Sequence, residues 1–342
     1  MHQNGFVTAI KDMYYYANPI IIFTFGFLSA YVISTVQYVK YVILLGTLSA
    51  LIYLLGYDFH ASYESVAQMK SEEGVASYLV VLSLAFISIN KKIGVFIMPK
   101  IVILLAVVIL LLAVIFSQSR TFLLSLFLLY IFGCGYVRFK LIRNFFIMSI
   151  ITTTVVIGIS YISISSSGDR STFSGKIATS FTEILPKKYT EKADINSHWR
   201  GYEAYRGLLA YQESALINKI IGSGYGKTAT LGFYMKLKDR YYDEIYKFHN
   251  GYVNILLKTG ILGLIIYIFY FISLIYYQSI SDVTDNLKLE FSKNMISALA
   301  ATILILTIFI AGWLNKQSMI PIIFSLGFFI HKNHMHHKAS MQ

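Results

Sequence analysis

Long apolar runs separated by short polar segments dominate the sequence. A bilayer core of roughly 30 Å is crossed by about 20 apolar residues of α-helix, and nine runs reach or approach that length. They lie at about 19–36, 39–56, 75–90, 98–117, 121–137, 143–164, 250–277, 294–313 and 318–331. The pattern predicts an all-α polytopic membrane protein with about nine transmembrane helices.

One long polar stretch, residues 166–248, separates the sixth run from the seventh. Its first part, 166–198, is rich in Ser, Thr and Lys and predicts irregular structure. From Trp199 to Ile221 apolar side chains recur near helical spacing, which predicts one amphipathic helix on the membrane surface. The glycine-rich run 222–226 ends that helix. It predicts a tight turn rather than a phosphate-binding loop, because it is no Walker sequence and no convincing strand precedes it.

Composition and charge extend this prediction. The residues are 56% hydrophobic and 13% charged, with a mean hydropathy of +0.62, far from the average of soluble proteins. The net charge of +12 would suit a nucleic-acid partner, but in a membrane protein an excess of Lys and Arg first reflects topology. We therefore expect a lipid bilayer and no nucleic acid as partner. The single cysteine, Cys134, excludes an intrachain disulfide.

The charges of the short loops predict the orientation. With residues 166–248 outside, the inner loops and tail hold eleven Lys and Arg and the outer short loops hold four, which satisfies the positive-inside rule. The N-terminus is then outside, so either residues 1–18 lie at the interface or a helix precedes them. The predicted organisation is a transmembrane block over 1–165, an extracytoplasmic loop over 166–248, a second transmembrane block over 249–331 and a cytoplasmic tail over 332–342.

Arg120 is the first candidate for chemistry. It stands between Ser119 and Thr121 at the predicted start of the fifth helix. The helix dipole is positive there, so this arginine needs an anion or a carboxylate nearby. The alternative is an arginine that snorkels to the interface.

Arg200, Glu203 and Arg206 form the second candidate. They follow each other at intervals of three residues, so on a helix each is the neighbour of the next. They form either an ordinary surface ion-pair ladder, which contributes little, or a site in which Glu203 orients an arginine that grips a phosphate bidentately. Spacing leaves both interpretations open.

The stretch His249-Asn250-Gly251-Tyr252 stands where the polar segment meets the seventh apolar run. A histidine there can accept a proton at neutral pH, whereas the alternative role is that of an interfacial anchor. Lys258, inside the same run, must snorkel or find a partner. We find no spacing of carboxylates or histidines that predicts a metal site, and the His-rich segment 331–338 is interpreted as a solvated tail.

The order of these motifs resembles a known family. Ser-Arg-Thr at a helix start is followed by a large loop with an arginine and a Gly-x-Gly-x-Gly run. His-Asn-x-Tyr then opens a helix that continues as Leu-x-x-x-Gly-x-x-Gly-Leu. From about Ser117 to Leu264 the chain resembles the O-antigen ligase/polymerase family, the Wzy-type polymerases of surface and capsular polysaccharide. Members commonly have more membrane helices, and the shortfall lies before Ser117.

The resemblance implies a GT-C-like membrane glycosyltransferase of the bacterial cytoplasmic membrane. It would transfer a glycan from undecaprenyl diphosphate to an acceptor on the outer face, with neither metal nor cofactor. Carried over, Arg120 and Arg200 become the diphosphate contacts, with Arg206 as a substitute for Arg200, and His249 becomes the base. We expect the remaining substrate contacts to come from Glu203, Arg206, Asn250 and Tyr252.

Three functions remain open. A polymerase would use the next lipid-linked repeat unit as acceptor, beside a flippase and a chain-length regulator of the same pathway. A ligase would move finished glycan to another carrier. A flippase would carry its basic residues along a cavity within the helices, whereas here they gather at the predicted outer face. We expect a polymerase.

Overall fold

The structure, a computed structural model, describes residues 5–58, 76–93, 98–136, 183–237, 240–280, 287–315 and 317–341. Eight of the nine predicted apolar segments overlap a helix, and the sixth, 143–164, lies outside the described residues. Within the described part, four helices are long and apolar enough to cross a membrane, Thr35–Leu55, Lys100–Ser117, Gly251–Tyr276 and Leu287–Ile310. The architecture is consistent with the predicted polytopic membrane protein.

The described elements form two groups of bundle helices, and the elements of the polar segment lie between these groups in the chain. In chain order they are α1 (Gly5–Ser29), α2 (Thr35–Leu55), α3 (Tyr78–Ile93), α4 (Lys100–Ser117), α5 (Arg120–Gly133), α6 (Lys192–Ser197), α7 (Trp199–Gln212), α8 (Leu216–Ile221), β1 (Ala229–Leu237), β2 (Arg240–Ile245), α9 (Gly251–Ile280), α10 (Leu287–Ile310), a 3₁₀ turn (Gly312–Leu314) and α11 (Ile320–Met341).

Helix α10 forms the centre of the bundle. In its most apolar 18-residue stretch 61% of the helix is buried, against 28–33% in the other three candidate spans. It packs on α5, α9 and α11, and its apolar side chains belong to one continuous core with α2 and α3. Because α10 meets helices from both halves of the chain, it joins the two predicted transmembrane blocks into one body.

Helices α1 and α11 cross at small residues. A Cβ on Gly26 would collide with the backbone of Phe324, and one on Gly327 would collide with the backbone of Phe23. Glycines at helix crossings let two backbones approach closely, which is the usual packing device inside membranes. This crossing fixes α1 on the bundle, and α1 carries one half of the buried ion pair described below.

The two ends of the described chain are more helical than expected. Helix α1 begins at Gly5, so the polar start 5–18 continues into the first apolar run instead of preceding it. Helix α11 continues to Met341, into the predicted tail 332–342. Hydropathy finds the apolar part of a helix, whereas a helix extends as far as its backbone hydrogen bonds continue.

Three predictions for the polar segment are wrong in detail. The stretch 199–221 forms two helices, α7 and α8, because Glu213 caps the first and residues 213–215 break it. The expected irregular part contains the short helix α6. The chain is not all-α, since β1 and β2 form an antiparallel hairpin. Inward residues Leu231, Phe233 and Met235 alternate with exposed Tyr234, a period-two pattern that the sequence carries.

Candidate active site

Residues 183–185 contact α7 at a glycine. A Cβ on Gly201 would collide with the carbonyl oxygen of Leu185 and lie 3.0 Å from that of Glu183. Only a residue without a side chain allows residues 183–185 to lie this close to the helix. Glu183 is thereby positioned beside the first turn of α7, which carries Arg200.

Glu183 joins the two predicted arginines. Its Oε2 accepts a hydrogen bond from Nη2 of Arg120 at 2.9 Å, and its Oε1 lies 3.8 Å from Nη1 of Arg200. Arg120 is the first residue of α5, with Ser119 at the N-cap position. The prediction that this arginine needs a nearby anion is therefore confirmed, and the carboxylate of Glu183 offsets the unfavourable helix dipole.

A cleft opens in front of the arginine pair. Its volume is about 700 Å³, and Arg120 and Arg200 both line it, together with Ser119, Thr121 and the end of α10 at Ile310. Glu183 is not among its lining residues, so the carboxylate holds the guanidinium groups from outside the cleft. Two cations facing one cleft, with hydroxyls beside them, suit a substrate that carries phosphate.

Glu203 lies one helical turn beyond Arg200 and holds His249. Its Oε2 is 2.6 Å from Nδ1 of the imidazole, and its Oε1 accepts a hydrogen bond from the backbone N–H of His249 at 3.1 Å. Glu203 is only 3% exposed, whereas the His249 side chain is 50% exposed. The carboxylate was expected to orient an arginine or to join a surface ladder, and the described geometry instead commits both its oxygens to the histidine.

The residues after His249 fix its position. Asn250 accepts hydrogen bonds from the backbone N–H groups of Tyr252 and Val253, so it caps α9. A Cβ on Gly251 would lie 2.9 Å from the carbonyl oxygen of Ala311, so a glycine is needed for this approach. The carbonyl oxygen of His249 accepts a 2.7 Å hydrogen bond from Ala311 N–H. Within the described residues, Asn250 thus acts on the backbone.

Tyr252 and Arg206 also have partners within the protein. Tyr252 donates a 2.6 Å hydrogen bond from its hydroxyl to the carbonyl oxygen of Leu304 on α10. Arg206 donates one from Nε to the carbonyl oxygen of Thr230 at 2.5 Å, which attaches α7 to the hairpin. Neither residue is among those lining the arginine cleft. Their predicted role as substrate contacts stays a prediction.

The glycine run docks on α9. The N–H groups of Ser223 and Gly224 donate to the carbonyl oxygens of Leu257 and Lys258. Gly222 has a φ of +93° and leaves no room for a Cβ against the Lys258 carbonyl. The opposite residue, Gly260, has a non-helical φ of +68° and kinks α9. The run is a turn that packs on α9, and the N–H groups of Gly222, Ser223, Gly224 and Gly226 are all engaged within the protein.

Lys258 finds its partner on α1. Its Nζ lies 2.5 Å from Oδ2 of Asp12 and also donates to the carbonyl oxygen of Lys227. The same Asp12 oxygen accepts from Gly226 N–H at 2.7 Å. Both side chains are at most 2% exposed. Since Lys258 lies on α9, which begins two residues after His249, the pair fixes the helix next to the histidine.

The neighbouring tyrosines outside the candidate spans remain protonated. Burial raises the pKa of Tyr202, whose hydroxyl donates to the carbonyl oxygen of Leu231. Burial, followed by the neighbouring Tyr15, raises the pKa of Tyr246 to about 12. A phenol that keeps its proton at neutral pH cannot act as a base. His249 is therefore the residue beside Glu203 with the chemistry to accept a proton.

Sequence reasoning missed Glu183 and Asp12. Glu183 pairs with Arg120, and Asp12 pairs with Lys258. Both cations are ones that the sequence predicts to need a partner. The signal was thus present on the cation side only. In the described residues, no group of three or more His, Cys, Asp or Glu is placed to hold a metal ion.

Comparison with protein-family models finds a match that includes the candidate site. No curated protein and no solved structure matches the chain. The family model described as O-antigen ligase matches residues 105–268. This range contains Arg120, Arg200, Glu203 and His249, and it agrees with the stretch on which the resemblance was based. The match covers the candidate site, and the predicted resemblance to the O-antigen ligase/polymerase family is confirmed.

Proposed function

We propose that the protein is a polysaccharide polymerase of the bacterial cytoplasmic membrane. It transfers a glycan from an undecaprenyl-diphosphate donor to a lipid-linked repeat unit on the outer face. The observation that carries this proposal is the geometry of α7. Arg200 and Glu203 stand one turn apart on this helix, so one rigid element carries a member of the arginine pair and the carboxylate that holds His249.

The arginines supply the electrophilic half of the reaction. The bond from the anomeric carbon of the donor to the diphosphate oxygen breaks, and the electron pair leaves with the diphosphate. Arg120 and Arg200 stabilise the charge that develops there, because they line one cleft and carry fixed positive charge. Glu183 keeps both guanidinium groups in place from outside that cleft, so little reorganisation is needed when the donor binds.

His249 supplies the nucleophilic half. Its Nδ1 is engaged by Glu203, which leaves Nε2 of the half-exposed ring for the substrate. As the acceptor hydroxyl attacks the anomeric carbon, its proton passes to Nε2, and the carboxylate of Glu203 stabilises the imidazolium. The proton then returns to solvent or to the departing diphosphate. No further reactant is needed, so we propose a reaction that uses neither metal nor cofactor.

The membrane setting supports a lipid-linked donor. The candidate site lies at the start of the apolar helix α9, next to Ala311 at the end of α10. A substrate with a hydrocarbon chain and a diphosphate can reach this boundary from the bilayer while its sugars stay in water. A flippase that delivers the donor and a chain-length regulator are the partners that this reaction would require.

The decisive experiment compares His249→Ala with His334→Ala. His334 is an exposed histidine on α11 that does not line the arginine cleft, so it controls for the loss of a histidine as such. Removing a general base lowers the rate by about 10²- to 10⁴-fold. In cells that depend on this protein, His249→Ala should therefore stop chain elongation at normal protein level, whereas His334→Ala should not.

The products distinguish the alternatives. Single repeat units accumulate on lipid if the protein is a polymerase, and long chains accumulate on lipid if it is a ligase. Purified protein in vesicles, given a synthetic lipid-diphosphate oligosaccharide, should form longer oligosaccharides. Translocation without transfer would identify a flippase and refute the enzymatic proposal.

A further inference from the structure

A second cavity shares no lining residue with the arginine cleft. It is a groove of about 730 Å³ between α1 and α9, with the 3₁₀ turn as its floor. We call it the aromatic groove, after the seven rings that line it, Tyr16, Phe23, Tyr225, Tyr267, Tyr270, Phe271 and Trp313. Its volume is within the roughly 300–1,000 Å³ of ligand pockets in proteins.

The lining of the aromatic groove is apolar. None of its lining residues is Lys, Arg, His, Asp or Glu, in contrast to the cleft that contains Arg120 and Arg200. One wall is α9, which is a candidate membrane span over Gly251–Tyr276. The body of the groove offers no counter-charge to a diphosphate and suits a hydrocarbon chain, so a phosphate could be held only at one of its ends.

The end of the groove at Ile255 and Leu314, which we call its upper end, lies next to the backbone of His249. Ile255 and Leu314 line the groove there and pack against Ala311 in one buried cluster. Ala311 N–H is the donor that holds the carbonyl oxygen of His249 at 2.7 Å. Ile255 lies about one helical turn below Gly251. A chain in the groove therefore ends beside the buried cluster whose Ala311 N–H holds the backbone of His249.

A polar atom without a partner stands at the same end. The hydroxyl of Tyr16 is buried and has no hydrogen-bond partner in the described part of the chain, although Tyr16 packs against the Ile255–Leu314 cluster. Leaving a buried hydroxyl unpaired is unfavourable. The first phosphate oxygen of a lipid whose chain fills the groove would satisfy it. The groove thus combines an apolar trough with one hydrogen-bond donor at its upper end.

We infer that the aromatic groove binds the polyprenyl chain of the acceptor substrate, with the hydroxyl of Tyr16 donating to its phosphate. This inference rests on the proposed function, which requires an acceptor at His249 and a donor at the arginines. The two lipid chains then enter on opposite sides of the segment from Ile310 to Leu314, since Ile310 lines the cleft and Leu314 lines the groove. It assigns the protein a lipid-linked acceptor.

Binding is tested by photolabelling of the full chain in nanodiscs. The probes are diazirine-bearing undecaprenyl phosphate and a diazirine-bearing phosphatidylglycerol. Ile20→Trp fills the groove, and Ile21→Trp is a matched control, because Ile21 is equally lipid-exposed but does not line the groove. The polyprenyl probe should label groove residues about tenfold less in Ile20→Trp, the worth of about two displaced methylene groups. Unchanged labelling, or equal labelling by phosphatidylglycerol, would overturn the inference.

The head-group contact has a separate test. Tyr16→Phe removes a hydroxyl that has no partner, so folding is not expected to suffer. It should weaken labelling by undecaprenyl phosphate and leave labelling by the corresponding undecaprenol unchanged. Equal loss with both probes would exclude the phosphate contact.

Kinetics separate this inference from the proposed function. With a long-chain acceptor, Ile20→Trp should raise KM for the acceptor several-fold without changing KM for the donor. With a short-chain, water-soluble acceptor, the variant should match the wild type. Wild-type protein that transfers to neither acceptor refutes the proposed function, while the labelling still decides whether the groove binds polyprenyl lipid. Transfer that is unaffected in Ile20→Trp refutes the acceptor site alone.

Discussion

Replacing Glu203 by Gln tests the pairing on which the proposed mechanism depends. The change keeps the shape of the side chain and removes its charge. In the structure Glu203 accepts two hydrogen bonds from His249, at 2.6 Å from Nδ1 and at 3.1 Å from the backbone N–H. An amide offers one oxygen where two acceptors are needed, and its NH₂ must then face an N–H group at a position that is only 3% exposed.

The magnitude follows from these contacts. A hydrogen bond to a charged group contributes about 1.5–3 kcal/mol. If the whole of that contribution is felt as the imidazolium forms, kcat falls by about 10- to 150-fold. The lost backbone bond adds a destabilisation of about 1–3 kcal/mol, which thermal unfolding would detect.

The assay is transfer by purified protein from a lipid-diphosphate oligosaccharide, with kcat and KM measured separately. KM for the donor should change little, because Arg120 and Arg200 keep their partner Glu183. Glu213→Gln is the matched control, since Glu213 is exposed at the end of the same helix. Wild-type kcat in Glu203→Gln would refute the idea that this carboxylate acts through His249.

Two further predictions concern the framework of the site. Gly251→Ala should cost about 1–3 kcal/mol of stability and lower activity, because its Cβ would lie 2.9 Å from the Ala311 carbonyl, whereas Gly56→Ala, with room for a Cβ at 3.5 Å, should be neutral in both thermal unfolding and transfer. Asp12→Asn should destabilise the protein by about 3–5 kcal/mol, because Lys258 stays buried without its counter-charge. The double variant Asp12→Leu with Lys258→Met should regain part of that loss, and a double variant less stable than Asp12→Asn would contradict this explanation.

Local physics made much of the fold predictable. Runs of apolar residues located helices, and eight of nine predicted segments overlap one in the described structure. The glycine run was predicted as a turn, and each of Gly222, Gly224 and Gly226 has a positive φ. The hairpin was missed although its alternation is present, because a short strand within a polar segment gives a weaker periodic signal than a long helix.

The candidate site divides along the same line. The sequence determined which residues are the candidates and what each needs: an arginine at a helix start and a lysine inside an apolar run need a counter-charge, and a histidine at the start of an apolar run needs a fixed position. Only the tertiary structure decided how each need is met. Glu183 lies 63 residues from Arg120, Glu203 lies 46 from His249, and Asp12 lies 246 from Lys258. Periodicity and helix-end electrostatics act over a few residues, whereas the choice of a counter-charge depends on which helices pack together.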